Sequence, residues 1–429
     1  SDLGLASVRD IKAIIRKLKT RKSPGPDGIH NFVLKNLPLK AVILITRIIN
    51  KMIQLSHFPD EWKCAKVTPI LKPKKPPGQT SSYRPISLLN TLSKIAEKVI
   101  LAKINNHIDA HELLPDTQFG FRKDHSSIHP PALLIEKTRS GLPDKMAGLV
   151  LLDVEKAFDT MWIPGLLYKL INYNFPRHII LLMNSYLANR SFYVSINNEH
   201  SALMPIAAGV PQGSILGPIL YILYISDVPR TRHSDLYTYA DDMALTVQHK
   251  SLHHILFHLQ LHLDLITDYC EVWRIRLNSN KSEAIIFSRH LHKTKAKIPL
   301  KLNNTELPWV TQATYLGVIL DQKLNLAAHI NRRTSLATAM LHLLQPLLKY
   351  NSGLNVQNKR RIFLAFVRPI LTYGAPCLND IAKKLIYALQ LLQNKILRQL
   401  YPDEAKDARG YYTSTAVLHE LARIPTIKE

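Results

Sequence analysis

Asp241 and Asp242 are the residues whose type and spacing most clearly suggest chemistry in this chain. They follow Tyr239-Ala240 and lie between two runs of strand-type residues, which predicts a hairpin with both carboxylates at its tip. Adjacent carboxylates repel each other, and aspartate is unfavourable in strands. A bound divalent cation that prefers oxygen ligands, Mg²⁺ or Mn²⁺, would relieve the repulsion. From these residues alone, an ordinary polar surface turn is the alternative.

A third carboxylate, Asp153, follows the continuous apolar run at 149–152. Such a run predicts a buried strand, and a strand end holds a side chain in a defined position. Pairing of this strand with the hairpin would bring Asp153 close to Asp241. Three carboxylates around two divalent ions are suited to in-line phosphoryl transfer.

The loop Gly209-Val210-Pro211-Gln212-Gly213-Ser214 lies between these acidic segments. Its two glycines allow the backbone to approach a ligand closely, and a helix is predicted to begin just after it. Such a surface suits a bound nucleotide and a template base. The loop alone is only weakly specific for a nucleotide site. Its position between Asp153 and the aspartate pair is what supports that interpretation.

Composition indicates a globular protein with a polyanionic partner. The 429 residues are 46% hydrophobic, and 56 Lys+Arg against 32 Asp+Glu give a formal charge of +24. Nucleic acid is the first expected partner, because the charge is spread along the chain rather than concentrated on one amphipathic helix. No apolar run reaches the roughly 18 residues needed to span a membrane. Three separated cysteines predict no zinc cluster or disulfide framework. The first residue, Ser1, suggests a piece of a longer polypeptide.

The periodicity of apolar residues predicts a mixture of helices and strands. Ser7 is a candidate cap for the first helix, and no regular alternation of strand and helix follows, so an α+β fold is favoured over a doubly wound sheet. Helices are predicted at 39–55, 91–108, 164–187 and 252–273 and over most of the chain from 329, and strands at 149–152, 192–196, 284–287 and 315–320.

In its ordered motifs the chain resembles the reverse transcriptases of non-LTR (LINE-type) retrotransposons, most closely the jockey-related branch. The strings Gly-Val-Pro-Gln-Gly-Ser and Tyr-Ala-Asp-Asp are each specific, and their order makes a chance match very improbable. The matching blocks are 23–34 (N-terminal block), 83–97 and 118–122 (fingers), 153–159 (motif A), 209–218 (motif B), 239–242 (motif C), 278–281 with Phe287 (motif D) and 315–318 (primer grip).

The resemblance implies that Asp153, Asp241 and Asp242 are the catalytic, metal-binding residues, with Mg²⁺ or Mn²⁺ as cofactor. Asp153 and Asp241 would contact both ions, and Asp242 would complete the site. Phe158 occupies the position of the family's steric gate, where a ring excludes a ribose 2′-hydroxyl. The alternative for Phe158 is ordinary core packing.

The resemblance also implies a set of nucleotide-binding residues. Gln212 and Gly213 would contact the incoming nucleotide or template base. Arg84 and Arg122 would contact triphosphate or template, because a guanidinium suits phosphate, or would form salt bridges in the fingers. Lys281 would lie near the triphosphate or would simply be solvated. The primer grip would comprise Tyr315, Leu316 and Gly317.

The implied architecture is a right hand with an N-terminal extension and fingers at 1–147, a palm at 148–321 and a helical thumb with a C-terminal extension at 322–429. The palm would be an antiparallel sheet flanked by helices. The implied function is RNA-directed DNA synthesis on element RNA with dNTPs, primed from nicked target DNA, without a membrane. An endonuclease domain is expected elsewhere in the full polypeptide. Cytoplasmic synthesis and particle assembly would precede reverse transcription in the nucleus.

Two other classes of function remain open at this point. One is a domesticated or inactive nucleic-acid-binding relative, which the three retained carboxylates argue against. The other is a reverse transcriptase of the group II intron or telomerase type, which shares the palm but differs in the fingers and thumb.

Two local features need separate interpretation: a pair of prolines and a stripe of histidines. Pro130 and Pro131 follow the second fingers block and are expected to break the start of the next helix. His254, His258 and His262 have helical spacing, but no carboxylate or cysteine joins them as a zinc site would require. A solvated helix face is therefore the expectation for this stripe.

Overall fold

The computed structural model describes residues 4–73, 75–197, 199–290, 298–349, 351–378, 381–402 and 412–427. The helices are α1 Val8–Arg16, α2 Asn31–Lys35, α3 Leu39–Leu55, α4 Thr91–Ala110, α5 His129–Gly141, α6 Ala157–Thr160, α7 Ile163–Asn172, α8 Arg177–Leu187, α9 Gly217–Ile225, α10 Leu252–Val272, α11 Ala327–Leu348, α12 Val356–Ile362, α13 Arg368–Leu371, α14 Lys383–Leu400 and α15 Thr415–Ala422. The strands are β1 Cys64–Leu71, β2 Tyr83–Leu88, β3 Met146–Leu152, β4 Ser191–Ile196, β5 Glu199–His200, β6 Met204–Pro205, β7 Asp235–Tyr239, β8 Asp242–His249, β9 Glu283–Phe287, β10 Lys301–Leu302, β11 Thr305–Glu306, β12 Gln312–Tyr315 and β13 Val318–Asp321.

The central sheet has four antiparallel strands in the order β7-β8-β3-β9. Every residue of β3 is buried, because apolar groups cover both faces of the sheet. Val150 and Leu152 belong to one hydrophobic cluster with Leu259 of α10, whereas Leu149 and Leu151 belong to a second cluster. The alternation of side chains along a strand therefore places β3 between two cores. The predicted α+β fold is confirmed.

A second sheet, in the order β2-β1-β4-β5 with β6 also paired to β4, lies in the N-terminal half of the chain. β1 pairs antiparallel with β2 and parallel with β4. A main-chain bond links this second sheet to the 209–214 loop, because the N–H of Ser87 near the end of β2 donates to the carbonyl of Gln212 (2.8 Å).

The C-terminal part is mainly helical and packs under the second of the two cores. Leu320 of β13, Ile330 and Leu341 of α11, and Ile396 of α14 are buried in that cluster with Leu149 of β3. In the ranges that the structure describes, no helix combines the length and the apolar character needed to cross a membrane.

Most predicted helices and strands are observed, and three local predictions are wrong. The segment 315–320 is a hairpin between β12 and β13, with Leu316 and Gly317 at positive φ in the turn, rather than one strand. By contrast, the helical periodicity predicted at 164–187 is observed as two helices, α7 and α8. Pro130 and Pro131 lie in the first turn of α5, where a missing N–H costs nothing, so the helix begins normally at His129. His262 is fully buried rather than solvated.

Candidate active site

The predicted hairpin tip is present. β7 ends at Tyr239, β8 begins at Asp242, and these two residues pair across a two-residue turn of Ala240 and Asp241. Ala240 adopts a left-handed conformation with φ +55° and is buried. The tight turn therefore holds both carboxylates on a rigid support at one end of the central sheet.

Strand register brings the third carboxylate to the same end of the sheet. Leu152, the last residue of β3, pairs with Met243 of β8. Because the strands are antiparallel, Asp153, which follows Leu152, lies beside Asp242, which precedes Met243. Both line a cleft of about 170 Å³ together with Lys281. The Lys281 ammonium donates to Oδ2 of Asp153 at 3.0 Å. The predicted convergence of Asp153 with the aspartate pair is thus observed.

The electrostatics of the three carboxylates show that they interact. Desolvation raises the pKa of Asp241, and repulsion from Asp153 adds to it. Desolvation, followed by repulsion from Asp241 and Asp153, raises the pKa of Asp242 to about 6. Lys281 offsets both effects only in part. Three carboxylates that repel one another fit a divalent cation that prefers oxygen ligands, because the positive charge of the cation would offset their mutual repulsion.

A buried glutamine supports the catalytic turn. Gln118 is 1% exposed, and its Oε1 accepts hydrogen bonds from the N–H groups of Gly120 (2.9 Å) and Ala240 (3.3 Å). The flanking main chain pairs with β7, because Thr238 donates to the Thr117 carbonyl and accepts from Phe119, both at 2.9 Å. Gln118 received no role from the sequence. Its place at the start of the 118–122 block was the available signal.

Phe158, in the first turn of α6 after Asp153, is half-buried. Its ring packs 5.3 Å from the Tyr221 ring and meets Phe121 edge-on at 6.3 Å, measured between centroids. Its carbonyl accepts from the N–H of Val210 at 2.8 Å, which joins the motif A segment to the motif B loop. This position is compatible with both a steric gate and core packing, so the gate stays a prediction.

The motif B loop packs directly against β2. Gly213 has φ +122°, and an added Cβ would lie 2.7 Å from the Ser87 carbonyl oxygen, so this close approach requires glycine. Gln212 is half-buried, and its Oε1 is buried without a hydrogen-bond partner among the described residues. A buried amide oxygen without a partner costs free energy, which makes this atom a candidate acceptor for a ligand donor.

Glu97 holds the other end of this loop. Its side chain is fully buried on α4, and Oε2 accepts from the N–H groups of Ile215 (2.7 Å) and Leu216 (3.3 Å) at the start of α9. Desolvation raises the pKa of this carboxyl, while these bonds and the nearby Arg190 lower it. Glu97 is the last residue of the 83–97 fingers block, and the sequence predicted no separate role for it. Its burial and the contact with α9 identify it as a positioning residue.

The two predicted arginines have different environments. Arg84 is exposed on β2, and its positive charge makes a small contribution that lowers the pKa of Asp241. Arg122 instead donates from Nη1 to the carbonyls of Pro115 (2.9 Å) and Gln118 (3.2 Å). Neither forms a salt bridge within the described ranges, which corrects that alternative. The Nη1 of Arg122 supports the loop beneath the catalytic turn.

The predicted primer-grip residues form the β12–β13 turn. Tyr315 is buried and lines the cleft beside Asp242. The Leu316 carbonyl accepts from the Tyr373 hydroxyl (2.7 Å), and the Gly317 carbonyl accepts from Nη2 of Arg333 (2.6 Å). The Arg333 guanidinium also lies 4.2 Å from the Tyr373 ring centroid. Side chains of the C-terminal helical part therefore fix this turn.

Curated proteins of Drosophila melanogaster are similar to nearly the whole chain. The chain is 33% identical over 433 residues to "Probable RNA-directed DNA polymerase from transposon BS", covering 98% of this chain and 47% of the relative. It is 34% identical over 412 residues to "RNA-directed DNA polymerase from mobile element jockey", covering 93% and 44%. The chain spans about half the length of the curated relatives it matches. The resemblance to the jockey-related branch is confirmed.

Among solved structures, telomerase from Candida albicans in complex with a TWJ fragment of telomeric RNA is similar at a TM-score of 0.42 and 13% identity, covering 86% of this chain and 68% of that chain. That likeness is too weak to support a conclusion. The family described as "Reverse transcriptase (RNA-dependent DNA polymerase)" matches residues 71–320. This range contains the three aspartates, the motif B loop and the β12–β13 turn. The chain belongs to the reverse transcriptase family.

Proposed function

We propose that this chain is the polymerase region of a non-LTR retrotransposon protein and extends a DNA primer on an RNA template. The supporting observation is the convergence of Asp153, Asp241 and Asp242 at one end of the central sheet, beside Lys281. In-line nucleotidyl transfer needs such a site, since it depends on positioning and charge neutralisation rather than on a protein nucleophile.

The metal is proposed to be Mg²⁺, with Mn²⁺ as a substitute. The donors are three carboxylates, and hard oxygen ligands suit both ions. Bound divalent ions would lower the pKa of the primer 3′-hydroxyl and neutralise the departing pyrophosphate. Asp153 and Asp241 would hold both ions, and Asp242 would complete the site.

Other side chains are proposed to select and orient the nucleotide. Phe158 would exclude a 2′-hydroxyl, and the unpartnered Oε1 of Gln212 would accept a hydrogen bond from the nucleotide or template base. Arg84 would contact the triphosphate from the β2 side of the cleft. Lys281 would leave Asp153 for the triphosphate and supply charge or a proton there.

The remaining chain is proposed to hold the template–primer duplex. The fingers would occupy 1–147, the palm 148–321 and the thumb 322–429, and the formal charge of +24 would serve contacts with phosphates. Because the chain spans about half of its relatives, nicking of the target DNA that primes synthesis is assigned to an endonuclease domain elsewhere in the polypeptide. Reverse transcription is assigned to the nucleus.

Primer extension on RNA and DNA templates tests the proposal directly. Asp241→Asn should lower the extension rate by about 10³-fold or more, with template–primer affinity nearly intact, because the carboxylate acts on charge in the transition state. Asp235→Asn is the matched control, since this aspartate lies at the opposite end of the same hairpin and its carboxylate forms a surface salt bridge with Lys137 (2.8 Å).

Near-normal extension by Asp241→Asn would refute the two-metal assignment. A parent chain that binds template–primer in Mg²⁺ but extends no primer would favour the alternative, a nucleic-acid-binding relative without catalysis. Extension on DNA but never on RNA would contradict the proposed template.

A further inference from the structure

Three histidines meet at the end of the β7–β8 hairpin that lies opposite the catalytic aspartates. They are His233, just before β7, and His254 and His258 of α10. One imidazole nitrogen from each lies within 4.8 Å of the others. Within the described ranges, no other group of three or more His, Cys, Asp or Glu residues brings its candidate ligand atoms within 4.8 Å of one another. We name these three residues the histidine cluster.

Helix geometry and one buried contact produce the histidine cluster. His254 and His258 are four residues apart on α10 and therefore share a face. One turn further on, His262 is fully buried, with Nδ1 2.6 Å from the Ser234 hydroxyl and Nε2 2.9 Å from the Pro229 carbonyl. These bonds attach the loop before β7 to α10. His233 is consequently held against α10, and it is His233 rather than His262 that joins His254 and His258.

The three rings are close, and their nitrogens are available. Ring centroids are 4.4 Å apart for His233 and His258 and 4.2 Å apart for His254 and His258. Hydrogen bonds to the three imidazoles are absent from the part of the chain that the structure describes. His249 stacks on His254 at 3.9 Å, but its Nδ1 accepts from the N–H of Ser251 (3.1 Å). His249 therefore packs beside the cluster, and its nitrogens are not among those that lie within 4.8 Å of one another.

We propose that His233, His254 and His258 form a Zn²⁺ site that is separate from the catalytic carboxylates. Neutral imidazole suits Zn²⁺, whereas Mg²⁺ prefers oxygen. Zn–N bonds of 2.0–2.1 Å place ligand nitrogens about 3.4 Å apart in a tetrahedral site, which small ring rotations achieve from the observed spacing. Water would take the fourth position.

The proposed role of the Zn²⁺ site is structural. The residues between the two helical ligands are Ile255, Leu256 and Phe257, so no carboxylate is placed to act as a general base as in zinc proteases. The ion would cross-link the loop that leads into β7 to the helix that follows β8. It would thereby clamp the far end of the hairpin that carries Asp241.

Zinc titration of the untagged 429-residue chain tests this site. A chromogenic chelator competes for Zn²⁺ while excess Mg²⁺ keeps the catalytic carboxylates from contributing. The parent should bind one Zn²⁺, and His254→Gln or His258→Gln should each lower the affinity by at least about 100-fold, since even outer contacts to a metal ligand are worth 10–100-fold. His253→Gln, an exposed neighbour on α10 outside the cluster, should retain the parental affinity.

Thermal melting separates loss of metal from loss of fold. Zn²⁺ should raise the melting temperature of the parent by a few degrees over that in EDTA, and the ligand variants should lose this increase while melting like the parent in EDTA. His233→Gln in the loop provides the same test if a helix variant fails to fold. A parent that binds no Zn²⁺, or equal losses in His253→Gln and His254→Gln, would overturn the proposal.

Discussion

Gly120→Ala should disable catalysis through the main chain of the catalytic turn. Gly120 is buried beneath that turn, and a Cβ built on it would lie 2.4 Å from the Ala240 nitrogen and 3.1 Å from the Tyr239 carbonyl carbon. Both atoms belong to the backbone, which cannot rotate away as a flexible side chain can. The new methyl group must therefore displace either the catalytic turn or the 118–120 segment beneath it.

The required displacement sets the expected magnitude. Ordinary van der Waals contact begins at 3.4 Å, so the turn must move by about 1 Å, and the hydrogen bond from the Ala240 N–H to Gln118 weakens with it. A misplacement of about 1 Å at a catalytic group costs about 100-fold in rate. That loss corresponds to about 2.7 kcal/mol of transition-state stabilisation. Template–primer affinity should change by less than about twofold, because the proposed phosphate contacts are with basic residues, which this substitution leaves in place.

Single-turnover primer extension in Mg²⁺, with affinity measured separately, checks this expectation. Gly141→Ala is the matched control, because the atoms nearest to its added Cβ belong to the flexible side chain of Gln248 rather than to the backbone. The control should extend primers within about threefold of the parent. Parental rates for Gly120→Ala, in a protein with an unchanged melting temperature, would refute the claim that the 118–120 segment positions Asp241.

Three further predictions follow from the site. Phe158→Ala should raise the ratio of ribonucleotide to deoxyribonucleotide incorporation by about tenfold or more, because it removes a ring that would exclude the 2′-hydroxyl. An unchanged ratio would mean that the ring serves only to pack against Tyr221. The pKa of Asp242 is raised to about 6 in the fold, so its charge destabilises the metal-free protein increasingly as pH rises from about 4 through 6. Asp242→Asn should therefore raise the melting temperature in EDTA at pH 8 but not at pH 4, and a decrease at pH 8 would contradict the repulsion. Template–primer affinity should fall steeply and linearly with salt on logarithmic axes, and a flat response would contradict phosphate contacts.

Local pattern was sufficient for most of the elements that carry the catalytic residues. β3 is continuously apolar, and β7 and β8 flank the two-residue turn Ala240-Asp241, so strand, hairpin and carboxylates could be predicted together. The capping box at Ser7 and the helix over Leu39–Leu55 were similarly predictable, since caps and helical periodicity depend on near neighbours.

Residues whose roles depend on distant segments were missed. Gln118 and Glu97 are polar and look like surface residues in the sequence, yet each is buried and bonded to backbone more than a hundred residues away. Helical spacing grouped His262 with His254 and His258, whereas packing of the loop before β7 buried His262 and brought in His233. Periodicity reports which residues share a face and cannot report which segment covers that face.

The sequence by itself determined the chemistry, because three carboxylates, a glycine-bounded Pro-Gln loop and their order already point to two-metal nucleotidyl transfer. Tertiary structure alone decided how the site is assembled. Antiparallel pairing of Leu152 with Met243 places Asp153 beside Asp242, and Gln118 holds the turn between Tyr239 and Asp242 from below. The physical reason is that residue type specifies what a group can bind, whereas strand register and packing between distant segments specify where that group lies.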